Sequence, residues 1–150
     1  LFELMDIHPE KFEEDQSDHS SRAGRIYARA SGVSEAVQAT LDRLSPDRKI
    51  PLKAQHADGV VDCKKLLKEI ADGNVHANFI EGMGCRGGCV GGPKSLIGKD
   101  AAREAVNHYG DETGIKTPAD NPYVLELLHT LGYETVESLL DRDNNFTRIL

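Results

Sequence analysis

The sequence predicts an α/β fold, a partial open sheet with a parallel βαβ unit flanked by helices. Two short strand-like stretches, near residues 50–57 and 75–81, enclose a stretch of helical period. The second stretch runs directly into a glycine-rich segment, the usual way a sheet strand of this class ends in a binding loop. With 150 residues and 39% apolar content, the chain suffices for one core, burying about 68–70% of the surface exposed when unfolded.

The first five residues are read as a short helix. Residues 10–18 follow with five acidic side chains and few apolar ones, a solvated loop. Val37, Leu41 and Leu44 recur at helical spacing from Ser34 onward, Ser31 or Ser34 supplies a capping oxygen, and Pro46 stops the helix. After the strand at 50–57, Asp58-Gly59 opens a helix with Leu66, Leu67 and Ile70 on one side and a stop at Gly73. In the next strand Val75, Ala77, Phe79 and Glu81 share one face, and His76 points away. Strand, helix and strand so arranged give parallel pairing with a right-handed crossover.

Ala101, Ala102, Ala105, Val106 and Tyr109 outline a further helix expected to stop at Gly110, followed by a polar connection over 113–120. Asn121-Pro122 combines a capping side chain with a first-turn proline, and Leu125, Leu128 and Leu131 give that helix its buried stripe before Gly132. A last short helix spans about 135–140. Residues 1–150 thus read as one unit without internal repeats, with 1–21 and 141–150 peripheral.

A formal net charge of −7 argues against nucleic acid as a partner, because phosphate tracking needs clustered Lys and Arg. No apolar run approaches the roughly 20 residues of a membrane-spanning helix, and no basic segment leads into a hydrophobic one at the amino end. The expectation is a cytoplasmic protein with no membrane partner. Because Leu1 opens the chain and the earliest methionine is Met5, the chain reads as a piece of a longer protein. Cys63, Cys85 and Cys89 are too few for a disulfide framework, and two of them stand four positions apart among glycines.

Six of the eleven residues from Gly82 to Gly92 are glycine, a density that suits a tight backbone approaching something closely. Thiolates at Cys85 and Cys89 can share one iron-sulfur cluster, with freed N–H groups bonding to its sulfides. Two rival patterns overlap. Gly82-Met83-Gly84-Cys85-Arg86-Gly87 matches a dinucleotide fingerprint with Asp100 or Glu104 as the acidic partner, although the glycines and Pro93 continue the loop instead of opening a helix. Gly87 to Ser95 approaches a phosphate-binding loop, with Pro93 breaking its register. A glycine-rich turn with two incidental thiols is a third reading.

Glu81, Met83, Cys85, Gly88, Cys89 and Gly92 fall in register with Glu-x-Met-x-Cys-x-x-Gly-Cys-x-x-Gly-Gly, the third signature of iron-only hydrogenases, with Gly91 just before its final pair and Pro93 at its last glycine. Tyr27-Ala28-Arg29-Ala30-Ser31-Gly32-Val33-Ser34-Glu35-Ala36-Val37 resembles that family's glycine-valine helix start, and Asn121 to Leu128 resembles its late asparagine-proline helix. The resemblance spans residues 22–132 and implies the C-terminal portion of a hydrogenase catalytic domain, of a divergent, sensory-like branch. It further implies a 4Fe-4S cluster joined through a cysteine sulfur to a diiron centre in the full-length parent. By position Cys85 resembles a cubane ligand, Cys89 the bridging ligand and Met83 the thioether beside the diiron centre. Implied partners are the preceding part of the same domain and a redox protein such as ferredoxin, with homo-oligomerisation through exposed apolar surface a further expectation.

The chain departs from the family in lacking its Thr-Ser-Cys-Cys-Pro and Met-Pro-Cys segments, which supply the other two ligands and the proton-shuttling cysteine. Cys63 lies in neither context and is read as a small structural thiol. Pro93-Lys94-Ser95 stands where the family has Gly-Gln-Pro, and Arg86 follows the first cysteine. The isolated chain is therefore expected to contain no complete catalytic set and to hold no metal. None of the six histidines forms an i, i+4 pair, and the sequon at Asn145-Phe146-Thr147 matters only in an exported protein.

Overall fold

The structure, a computed structural model, describes residues 1–13 and 18–140; the rest of the acidic stretch and the sequon lie outside the described residues. The amino end forms two exposed 3₁₀ turns, Glu3–Met5 and Pro9–Lys11. The expected α-helix over the first five residues is replaced by a single turn, since so short a segment gains too few intrahelical bonds to offset nucleation.

Helix α1, Arg22–Arg25, is capped by the Ser21 hydroxyl, which accepts from the Gly24 N–H at 3.2 Å. It passes into a 3₁₀ turn, Ile26–Ala28, and then α2, Gly32–Leu44. Neither expected serine caps α2: Ser31 is left-handed at φ 66 and makes no side-chain cap bond, while the Ser34 hydroxyl donates to Glu81 instead. The core is built from Ala23, Ile26, Ala30, Ala36, Ala57, Leu66 and Ala102, mostly small side chains that let backbone segments approach closely.

Strand β1, Ala54–Asp58, helix α3, Val60–Ala71, and strand β2, Phe79–Met83, form the βαβ unit. The strands are parallel, pairing Ala54 with Phe79, His56 with Glu81 and Asp58 with Met83. Both strands start later than expected. Pro51 has no N–H to give, and the Asn78 side chain captures the Lys53 N–H at 2.7 Å, so ladder pairing begins only beyond them. The face alternation holds: Val75, Ala77 and Phe79 are half-buried, Glu81 is buried, and His76 and Ile80 are exposed. On α3 only Leu66 is buried, with Leu67 63% and Ile70 40% exposed, because two strands offer a surface only one helical stripe wide. Gly73 ends α3 as expected, with the Asn74 N–H reaching Glu69 O at 2.9 Å.

Helix α4, Lys99–Asp111, runs through Gly110 instead of stopping there. Gly110 is buried in contact with α1, and a Cβ on it would sit 2.9 Å from Ile26 Cγ2. Helix α5, Pro122–Thr130, has the expected start, the Asn121 side-chain oxygen accepting from the Tyr123 N–H at 3.1 Å. Of its expected stripe, Leu128 faces an apolar cavity together with Val124, Leu44 and Pro118, whereas Leu125 and Leu131 are 44% and 55% exposed. The expected helix over 135–140 is a 3₁₀ turn, Glu137–Leu140. Residues 18–25 are tied to the last helices: Asn121 donates to His19 O at 2.6 Å, the His19 ring stacks on Tyr123, and the Arg25 guanidinium lies 4.1 Å from the Tyr109 ring centre.

Candidate functional site

At the carboxyl end of β2 the chain leaves the sheet at Met83 and turns through Cys85 to Gly92, with a 3₁₀ turn at Cys89–Gly91. Three attachments hold this loop to the sheet and helices. The Met83 carbonyl accepts from the Gly59 N–H at 2.8 Å, so the loop starts against the β1 to α3 turn. The Asp58 carboxylate accepts from the Gly87 N–H at 2.7 Å. Finally, the Ala30 N–H donates to Gly87 O at 3.0 Å, and Arg29 and Gly88 form an isolated antiparallel bridge.

The glycines follow from these approaches. Gly88 has φ 83 and ψ −155, and a Cβ there would lie 2.6 Å from Ala30 N and 2.7 Å from the Arg29 carbonyl carbon. At Gly91 a Cβ would lie 1.9 Å from Arg86 O, where the loop folds back on itself. Much of the glycine density is thus explained by backbone meeting backbone, leaving both thiols on the short arc around Gly87-Gly88. Cys85 is half-buried, its sulfur 3.7 Å from where a Gly92 Cβ would be, and Cys89 is exposed. Met83 is half-buried, on the same sheet face as Glu81.

Glu81 is 5% exposed; one carboxylate oxygen accepts from the Ser34 N–H at 2.7 Å and the Ser34 hydroxyl at 2.5 Å, while the other has no partner. This pairing ties the end of β2 to the first turn of α2, whose positive dipole end favours a carboxylate. Its inward direction is legible in the strand's alternation, whereas its partner is not. The sequence gives no sign that Arg29 and Asp58 hold the loop, because that role comes from distant segments meeting there.

The electrostatics differ from those of the chain as a whole. Within residues 84–103 stand Arg86, Lys94, Lys99 and Arg103 against the single acid Asp100, in a chain of net charge −7. Lys99 packs on the loop, its Cβ 3.1 Å from the Cβ position of Gly87, and the Arg86 stem crosses Gly59.

Cys63 stands apart, its thiol directed at Met83 O and Ala57 O at 3.5 and 3.8 Å. Among the described residues no three His, Cys, Asp or Glu side chains gather as a metal-binding group. Against a four-thiolate cluster the residues offer two soft donors, Cys85 and Cys89, on one loop anchored to the framework. The next helix, α4, begins only at Lys99, so the loop lacks the immediate helix start of a dinucleotide site. Among the described residues no helix is long and apolar enough to cross a membrane.

No curated protein matches the chain significantly. The sequence model of one family, described as the iron-only hydrogenase large subunit, C-terminal domain, matches residues 1–93. The match takes in the segment at Tyr27–Val37, the whole βαβ unit and the loop with Met83, Cys85 and Cys89, and it ends short of Asn121-Pro122. It also covers residues 1–21, which the sequence pattern places at the periphery. Extending over well over half of the sequence, this match shows that the chain belongs to the family formed by the C-terminal domain of the large subunit of iron-only hydrogenases.

Proposed function

We propose that the chain supplies two cysteine ligands, Cys85 and Cys89, to a 4Fe-4S cluster with a linked diiron centre in a longer hydrogenase-like redox protein. The observation that carries this reading is the loop itself: two thiols on either side of a glycine pair that three separate attachments hold to the framework. Cys85 takes the role of a cubane ligand and Cys89 that of the bridging sulfur, with the Met83 thioether as a polarizable, non-acidic neighbour. When bound, the group supplies reversible proton reduction and hydrogen oxidation, or in a sensory relative the detection of hydrogen. The chain's own residues orient the thiols, and Arg86 and Lys99 offset thiolate charge.

The other two ligands come from a preceding part of the same domain. The amino-terminal turns suit such a contact, since Leu1, Phe2, Leu4, Met5 and Phe12 are all more than half exposed. A small electron carrier such as ferredoxin completes the redox chain, and self-association is the outcome when that apolar surface stays uncovered. The site works in the cytoplasm, where thiols remain reduced.

The test uses the longer protein, matured anaerobically, with Cys85→Ser and Cys89→Ser variants. Each variant is expected to lose the cluster's EPR signature and any hydrogen evolution or uptake. Retention of both in both variants would contradict the ligand assignment. Saturable micromolar binding of NAD or ATP, lost on replacing Gly84, would support a dinucleotide-binding module instead; an iron-sulfur assembly scaffold would pass on its cluster without turning over hydrogen.

A further inference from the structure

We infer that Arg29 is a positioning residue for the Cys85 and Cys89 thiol pair, an inference that rests on reading the loop as a two-thiol ligand. Arg29 is 3% exposed, and all three of its guanidinium nitrogens are engaged. Two of them grip the Glu35 carboxylate on α2 at 2.9 and 2.5 Å, and the third donates to Asn107 Oδ1 on α4 at 2.5 Å. A further bond reaches Ala30 O at 3.3 Å. Burying a charge this deeply costs more than burying an apolar side chain of the same size, so the arrangement serves geometry more than stability.

What it fixes is the 29–30 backbone. That backbone receives the loop: Arg29 bridges Gly88, and the Ala30 N–H holds Gly87 O at 3.0 Å. Gly87 and Gly88 sit midway between the two thiols, in a stretch whose glycines give the chain little stiffness of its own. The planar fork of Arg29, bonded to two helices at once, therefore sets how far apart the two sulfurs are held. Loosening the clamp lets the loop sample other spacings and lowers the effective concentration of the second thiol for anything already bound by the first.

Phenylarsine oxide reads this spacing without iron. Its trivalent arsenic condenses with two thiols, forming two As–S bonds and releasing one water, with no change in oxidation state. In a Cys63→Ser background the chain is expected to give a cyclic one-to-one adduct that resists the monothiol 2-mercaptoethanol and is reversed by the dithiol dithiothreitol. Arg29→Gln should weaken that resistance about tenfold, and Glu35→Gln, which opens the clamp from its half-exposed end, should act in the same direction. Circular dichroism checks that each variant is folded, and if Arg29→Gln is not, Glu35→Gln decides. Leu66→Ala, destabilising through the core between α3 and the sheet but no part of the Arg29 clamp, should leave adduct affinity unchanged, which separates positioning from general loss of stability. Wild-type affinity in Arg29→Gln and Glu35→Gln, or an equal loss in Leu66→Ala, would overturn the inference while leaving the paired-thiol reading intact. Absence of a cyclic adduct in the unaltered loop would overturn both.

Discussion

Replacing Gly88 by alanine tests the loop's architecture in one substitution. The residue's φ of 83 and ψ of −155 belong to a region nearly restricted to glycine, so a side chain there costs about 1–3 kcal/mol in backbone strain. The added methyl would meet Ala30 N at 2.6 Å, the Arg29 carbonyl carbon at 2.7 Å and Ala28 O at 2.8 Å. All three are backbone atoms of a clamped segment, so the loop must retreat, and the Ala30 to Gly87 hydrogen bond, worth about 1 kcal/mol, weakens or breaks. The sum is about 2–4 kcal/mol, a large part of the roughly 5–15 kcal/mol that stabilises a domain. For a chain of this length each kcal/mol lowers Tm by about 2–4 °C, so a drop of about 5–15 °C is expected. Urea unfolding followed by circular dichroism measures the same loss as a lower midpoint. Gly84→Ala is the control: nothing lies within 4 Å of its Cβ position, and its change should stay within about 0.5 kcal/mol. Equal midpoints for Gly88→Ala and Gly84→Ala would refute the argument that loop and 28–30 backbone meet this closely.

Other substitutions probe neighbouring parts of the structure. Ser34→Ala removes one of the two donors to the buried Glu81 carboxylate and should cost about 1–3 kcal/mol in urea unfolding, whereas Ser45→Ala on the exposed surface should be nearly neutral. Gly110→Ala places a methyl 2.9 Å from Ile26 Cγ2 and should destabilise by about 1–3 kcal/mol through overpacking, the opposite of the gain expected from Gly to Ala at an uncrowded helical site. Acid should destabilise the fold. Hydrogen bonds from Ser20 to Asp18, Arg29 to Glu35, Arg48 to Asp42, and Thr117 and Arg43 to Asp120 hold these carboxyls below their ordinary range. Groups depressed in the folded state bind protons more readily when unfolded, so their stabilisation is complete above about pH 4–5 and is lost as pH falls through the folded values. A thermal melting series from pH 7 to pH 3 should show Tm falling at the acid end, more steeply with Glu35 intact than in Glu35→Gln.

The βαβ unit is legible in the sequence because its signals are local: alternation at 75–81, punctuation at Asp58-Gly59 and the Gly73 stop each depend on neighbouring residues. Gly110 misleads for a physical reason. Glycine after an apolar helical run reads as a stop, but here its missing Cβ admits Ile26, a residue far away in the chain. The stripe of Leu125, Leu128 and Leu131 holds only at Leu128, since Val124 is the other α5 residue turned toward the cavity beside Leu44 and Pro118. At the candidate site the thiols and glycines are visible as a motif, while the Arg29 clamp, the Asp58 bond and the Ser34 partner of Glu81 are not. The Arg29 bond to Asn107, the Asp58 bond to Gly87 and the Ser34 bond to Glu81 each join distant parts of the chain, so no spacing announces them, and only the Arg29–Glu35 pair is local.

The most direct test of the central claim, that this loop is half of a cluster site, is anaerobic reconstitution of the isolated chain with ⁵⁷Fe and sulfide, followed by Mössbauer spectroscopy. Two thiolates leave half of a cubane's irons without protein ligands, so no stable, stoichiometric 4Fe-4S signal is expected. A stoichiometric cluster that survives desalting would contradict it.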